Sequence, residues 1–174
     1  MYDRKRLSIG RDGVEGADKN GAAVLRIGTC VDWLELKGED NRLYGKTELS
    51  AFKAVALFFY PKDFTSICTA QVCSFRDRYE EIRRLGGVAF GISQDSKKKH
   101  GEFKRAHRLP YDLISDPNGN LGKRFGIARF GGWLWHKRVT FILDPSLCIA
   151  GIIHNERNAE IHADEFIRHL KTVA

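Results

Sequence analysis

The stretch FFYPKDFTSICTAQVCSFRD, residues 58–77, sets two of the chain's four cysteines five positions apart, directly after an apolar run. The run AVALFFY (54–60) is continuous and apolar, which predicts a strand buried on both faces, and Pro61 stops it. From Ser66 to Leu85 the apolar residues Val72, Phe75, Tyr79, Ile82 and Leu85 recur at spacings of three and four, which predicts a helix. Cys68 then falls in the first helical turn, where unpaired backbone N–H groups and the positive end of the helix dipole favour a thiolate over a thiol.

Three arrangements compete to explain Cys68 and Cys73. A zinc site calls for paired C-x2–4-C groups with matching partners, and neither Cys30, Cys148 nor the six histidines supply that spacing. A permanent bridge fails on helix geometry: five positions give ~7.5 Å of rise and about 140° of rotation, hence Cα atoms about 8–9 Å apart, beyond the ~7 Å a disulfide spans. The bond becomes accessible when the first turn and a half unwinds. A reactive thiol fits best, Cys68 being oxidised by peroxide to a sulfenic acid that condenses with Cys73. Two small buried hydrophobes remain the plain alternative.

Outward from this segment, GGVAFGIS (86–93) reads as a second buried strand, and SKKKHGEFKRAHR (96–108) as a basic amphipathic helix whose core side is Phe103 and Leu109. YDLISDPNGNLGKRFGI gives a short strand, a turn at Asp116–Gly119 and a helix through about Phe125. RVTFILDPSLCIAGIIHN (138–155) is a hairpin around Asp144-Pro145-Ser146, and HADEFIRHL (162–170) a closing amphipathic helix. LRIGTCVDWLEL (25–36) reads as a short strand or extended segment. A βαβ unit followed by ββα is the order of an α/β, thioredoxin-like fold, with a central mixed sheet flanked by helices.

With 174 residues, 43% of them apolar and 11% aromatic, the chain suits one domain. Residues 25–174 form that domain, and 1–24, rich in glycine and charge, form a flexible tail. The tail lacks the apolar core of a secretory signal and no stretch approaches the ~20 residues of a membrane helix, so a cytoplasmic location is expected, without a membrane partner. The net charge of +7 invites a nucleic-acid reading, but the densest basic segment is a solvated helix face, and no dedicated nucleic-acid role is expected.

YPKDFTSICTAQVCSFRD resembles the active-site region of peroxiredoxins, whose signature P-x3-[TS]-x2-C is met by Pro61, Thr65 and Cys68. The continuation C-T-x3-C-x-F-R-D is similar to the peroxiredoxin Q branch, also called bacterioferritin comigratory protein, and the resemblance spans about residues 25–172. It implies a peroxidatic Cys68, a resolving Cys73, a Thr65 that hydrogen-bonds the peroxide, a Pro61 that shields the thiolate, and an Arg138 beside the sulfur. It further implies reduction of hydrogen peroxide and small organic hydroperoxides, no metal or organic cofactor, a thioredoxin-type protein reductant, and a monomer or weak homodimer. A disulfide oxidoreductase on the same fold would carry C-x2-C; a redox-sensing or chaperone-like binding protein would react once and stop.

The chain departs from the family pattern in places. Ser66-Ile67 stands where Pro-Gly is usual, so Ile67 bears on peroxide preference. CVDW replaces APDF; Cys30 and Cys148 are read as packing residues, Cys148 being an outside candidate for resolving Cys68. Of Trp133 and Trp135, one is free to line the mouth of the site, though core packing is favoured for both. His136 is read as a surface residue.

Overall fold

The computed structural model describes residues 25–128 and 135–173; the expected tail and Trp133 lie outside them. Ala54–Phe59 forms the central strand, β3, every residue of it buried. Before it come the short antiparallel strands β1 (Leu36–Lys37) and β2 (Leu43–Tyr44) and one turn of helix, α1 (Lys46–Leu49). After it follow α2 (Ser66–Asp77), α3 (Tyr79–Arg84), β4 (Gly87–Ser93), α4 (Lys97–His107), β5 (Leu113–Ser115), α5 (Asn120–Arg124), β6 (Val139–Leu143), β7 (Ile149–His154) and α6 (Ile161–Thr172). The main sheet runs β5-β4-β3-β6-β7, with β3, β4 and β5 parallel and β6 and β7 antiparallel to their neighbours. This is the mixed, helix-flanked sheet expected from the element order. No helix of the described residues is long and apolar enough to cross a membrane.

Strand pleating divides β3 between two cores. Val55, Leu57 and Phe59 join Leu34, Leu36, Phe90, Phe125 and Phe141 on one face. Ala54, Ala56, Phe58 and Tyr60 face the other way, onto Val72 and Phe75 of α2, Phe103 of α4 and Phe166 and Leu170 of α6. The Phe58 and Phe75 rings stack with centroids 4.2 Å apart, which fixes α2, and with it Cys68, against the central strand.

In the scaffold the structure differs from the sequence reading at three places. The single helix expected over 66–85 breaks at Arg78 (φ −104°, ψ 2°) into α2 and α3; the Arg78 side chain bonds Ser74 Oγ at 3.0 Å and Asp164 of α6 at 2.5 Å, and the apolar spacing continues through the break, so periodicity does not disclose it. In α4 the core side includes His100, which is fully buried. Cys30 and Cys148 are not separate packing residues but a disulfide. Residues 28–31 pair with 147–149 through Val31 N–H to Leu147 O (2.8 Å), Ile149 N–H to Thr29 O (2.9 Å) and Gly28 N–H to Ile149 O (2.7 Å). The two cysteines are directly opposite on this short antiparallel ladder, so sheet pairing joins residues 118 apart in sequence.

Candidate active site

The site is built where β3 ends. Tyr60 is buried, Pro61 half-buried, and the chain loops through Lys62, Asp63 and Phe64 before Thr65 takes the extended backbone of a helix N-cap (φ −87°, ψ 148°). The Thr65 side chain does not cap the helix; its hydroxyl donates to Lys62 O at 3.0 Å and tightens the loop. Asp63 anchors the loop from beneath. Its carboxylate, 2% exposed, accepts from the Tyr60 hydroxyl at 2.6 Å and sits 2.7 Å from His100 Nδ1, while its N–H donates to Asp95 at 2.7 Å. Burial, with Asp63 adjacent, pushes the Tyr60 hydroxyl well above its ordinary range, so it stays a donor.

Cys68 lies in the first turn of α2, is 1% exposed and carries a free thiol. Arg138, at the entry to β6, reaches across to it, with Nη2 donating to Sγ at 3.4 Å. The β3–β6 pairing, Phe59 opposite Val139, brings this arginine beside the end of β3. Its other donors are also engaged: Nη1 to Gln71 Oε1, Nε to Glu156 O at 3.3 Å, and the main-chain N–H to Glu156 Oε1 at 3.3 Å. A guanidinium has only donors, so Gln71 must present its oxygen to Arg138; its Nε2, buried, is left without a partner. The sulfur therefore sits in the first turn of α2 beside a fixed positive charge.

Cys73 is one and a half turns further along α2, half-buried and also free. Burial pushes its thiol up, against the opposing pull of Arg76 and with a small contribution from Asp77. Its Sγ lies 3.9 Å from Nδ1 of His107, the last residue of α4. Beside the first turn, an open cleft of about 470 Å³ is lined by Ser66, Ile67, Ala70 and residues 157–160. Phe64, Ile67 and Trp135 are the exposed large apolar side chains of this region; Trp135, read in the sequence as a core residue, instead lies at the surface, with Lys62 over its ring at 5.4 Å.

Of the five residues singled out in the sequence, Cys68 and Arg138 are in direct contact, Cys73 shares the helix of Cys68, and Thr65 and Pro61 form the loop leading into it. Cys148 is elsewhere. Arg138 precedes β6 and Cys148 follows its far end, so about 17 Å of strand lies between site and disulfide; Cys148 is no partner for Cys68. His136, expected at the surface, is fully buried with Nε2 3.0 Å from Asp116. Burial raises the Asp116 carboxyl, but the imidazole and the N–H groups of Gly122 and Leu121 outweigh it and hold it below the usual carboxylate range. A Cβ on Gly122 would stand 2.3 Å from the His136 ring, so only glycine admits that close approach.

The AhpC/TSA family model matches residues 27–152. The chain belongs to the AhpC/TSA family. Peroxiredoxin Bcp of Bacillus subtilis is 35% identical over 161 residues, covering 87% of this chain and 98% of that one. A chloroplastic peroxiredoxin Q of Gentiana triflora is 36% identical over 151 residues, covering 86% of this chain and 69% of its own. Among solved structures, peroxidoxin BcpB of Mycobacterium tuberculosis superposes with a TM-score of 0.80 at 31% identity over 86% of this chain and 99% of that chain. This member of the family is a thiol-dependent peroxidase of the peroxiredoxin Q and Bcp type, on a thioredoxin-like fold.

Gln71, Glu156, His100 and His107 are the site residues missed in the sequence. His100 had a signal: it lies three positions before Phe103, on the face that Phe103 defines. Gln71 and Glu156 had none, since each matters only through Arg138.

Proposed function

We propose that Cys68 is the peroxidatic residue and Cys73 the resolving one, acting on hydrogen peroxide and small organic hydroperoxides. The observation that carries this is the Arg138 guanidinium 3.4 Å from the sulfur of a first-turn cysteine. The Cys68 thiolate attacks one peroxide oxygen; the O–O bond breaks, the sulfur becomes a sulfenic acid, and the departing oxygen leaves as alkoxide or hydroxide and takes up a proton. Charge grows on that departing oxygen, where Arg138 and first-turn N–H groups stabilise it. Thr65 donates its hydroxyl to the bound peroxide after releasing Lys62 O, and Pro61 keeps water from the thiolate. Burial pushes the Cys73 thiol up, whereas Cys68 has Arg138 beside its sulfur, so Cys68 is taken as the nucleophile that peroxide oxidises. Attack by Cys73 on the sulfenic sulfur then releases water and forms a disulfide, which a thioredoxin-type protein reduces by thiol–disulfide exchange.

In this reading residues 25–174 act as one domain, as a monomer or weak homodimer, in the cytoplasm. Exposed Ile67 and Phe64 at the mouth favour an apolar substituent on the peroxide. The compartment is tested by the Cys30–Cys148 bridge, since persistent disulfides are rare in the cytosol: thiol labelling in intact cells should find that pair reduced there. For the catalytic roles, peroxide consumption with thioredoxin, its reductase and NADPH is the test. Cys73→Ser should oxidise once, accumulate sulfenic acid at Cys68 and stop. Normal cycling by that variant would remove Cys73 from the scheme.

A further inference from the structure

The half-reaction that closes the disulfide has a proton to dispose of. Cys73 must lose its S–H proton to become the nucleophile, and burial holds that proton on. Beside Cys68, Arg138 donates only, and the Glu156 acceptors are turned to Arg138. One acceptor does touch the resolving thiol: Nδ1 of His107, 3.9 Å from Cys73 Sγ.

We propose that His107 is the general base of the resolving step, taking the Cys73 proton before the freed sulfur attacks the Cys68 sulfenic acid; this rests on the assignment of Cys68 and Cys73 above. The step balances without an outside reagent. The Cys73 S–H bond breaks, its proton passes to Nδ1, and the sulfur forms an S–S bond with Cys68. The S–OH bond of Cys68 breaks, and the departing hydroxide takes up a proton from solvent to leave as water, while His107 returns the proton it took to solvent. Thiolate is needed at the start, while the helix is intact and the contact exists, so proton removal precedes unwinding.

The surroundings of His107 suit the task. Its ring stands edge-on to Phe103 at 4.8 Å and is tilted against Phe64 at 6.3 Å, and its carbonyl accepts from Arg76 Nη1 at 3.0 Å. These contacts hold Nδ1 toward α2, and the half-buried ring keeps a solvent-facing side through which it sheds the proton. The charged groups that face the pair are Arg76 and Asp77 of α2, bonded to each other at 2.8 Å. Lys104, one turn back on α4, is held by Glu39 and Asp112 at 2.6 Å each; Arg105 and Arg108 are exposed on the same helix end. The Tyr111 hydroxyl nearby donates to Val72 O at 2.6 Å, and burial holds its proton firmly on. His107 is therefore the acceptor in contact with the Cys73 thiol. Phe64 adds a link to the peroxide side: it holds a left-handed backbone (φ 62°), rare for a bulky residue, and its ring packs on Phe103 at 4.8 Å. The loop before Cys68 and the base beside Cys73 thus share one aromatic cluster.

Stopped-flow tryptophan fluorescence after mixing reduced enzyme with peroxide separates the two steps: the first phase scales with peroxide concentration, the second does not. In His107→Gln the second phase should slow by about 10–100-fold, in the lower range of general-base effects, with the first phase at its wild-type rate, which also reports an intact fold. The pH profile of the second phase should differ between wild type and His107→Gln, the variant gaining rate only at the higher pH at which the Cys73 thiol ionises by itself. Added imidazole should accelerate the second phase of His107→Ala and leave wild type unchanged. An unchanged second phase in His107→Gln overturns the proposal, and so does a slow one with the wild-type pH profile and no rescue by imidazole. Peptide mapping of oxidised wild type keeps the two readings apart: absence of a Cys68–Cys73 bond overturns the resolving assignment itself, whereas its presence with an indifferent His107 overturns only the base.

Discussion

The molecule holds two cysteine pairs with opposite relations between sequence and space. Cys68 and Cys73 are five positions apart and share α2, where both stay free thiols. Cys30 and Cys148 are 118 positions apart and are bonded. A helix separates near neighbours along its rise, whereas an antiparallel ladder brings distant residues face to face. In the proposed scheme the first pair is a bond to be made at the cost of local structure, whereas the second is a bond that sheet pairing has already prepared. The environments differ in the same sense. Cys68 is buried against a guanidinium, while Cys30 is exposed at the sheet edge, where its bridge fastens residues 28–31 over the start of β7.

Substitutions at the two pairs should sharpen this contrast, and the largest effect belongs to Cys68. Cys68→Ser should lower peroxide turnover by on the order of 10³-fold or more, because a serine hydroxyl stays protonated and displaces no alkoxide; thioredoxin-coupled assays read this, and peptide mapping should find Cys30–Cys148 still bonded. Arg138→Ala and Thr65→Val should each slow the first oxidation by about 2–4 kcal/mol of barrier, the range for a lost transition-state donor, measured by competition for peroxide with circular dichroism as the control. Removing the other pair, by Cys30→Ser with Cys148→Ser, should cost about 2–4 kcal/mol of stability in urea unfolding and leave the first oxidation rate as it was. A large loss of that rate would break the separation between the two pairs.

The smallest effect concerns β6, which joins the site to the far disulfide. His162 of α6 contacts Thr140 Oγ1 of β6 at 2.9 Å, and burial lowers its affinity for a proton, outweighing the Asn155 carbonyl it donates to at 3.0 Å. Below the ordinary imidazole value of ~6.5 the unfolded chain binds a proton that the folded chain resists, so stability falls as pH drops from that point toward the folded value. Urea midpoints between pH 7.5 and 5 should show this decline, and His162→Gln should flatten part of it.

Much of the fold was legible because its signals are local. The continuous apolar AVALFF and GVAFGIS became β3 and β4, and Pro61 and the Asp144-Pro145-Ser146 turn fell where their backbone chemistry requires. Cys68 and Arg138, singled out through the motif and the basic entry to a strand, do meet in the structure. What stayed hidden depends on contacts between distant segments. The break at Arg78 lies inside an unbroken apolar period. The Cys30–Cys148 bridge needs the pairing of 28–31 with 147–149, for which neither segment carries a signal by itself. His136 looked solvated beside lysine and arginine, yet Gly122 opens the space that takes its ring into the core.

The central claim is that peroxide converts two free thiols on one continuous helix into a bond that this helix, intact, does not permit. Amide hydrogen exchange over residues 66–74, with peptide mapping of the same samples, tests it most directly. One equivalent of peroxide should yield a Cys68–Cys73 disulfide together with a loss of protection across 66–74, since several backbone hydrogen bonds worth ~1 kcal/mol each are given up, while residues 28–31 and 147–149 keep theirs. Equal protection of 66–74 in the reduced and oxidised enzyme would contradict the account.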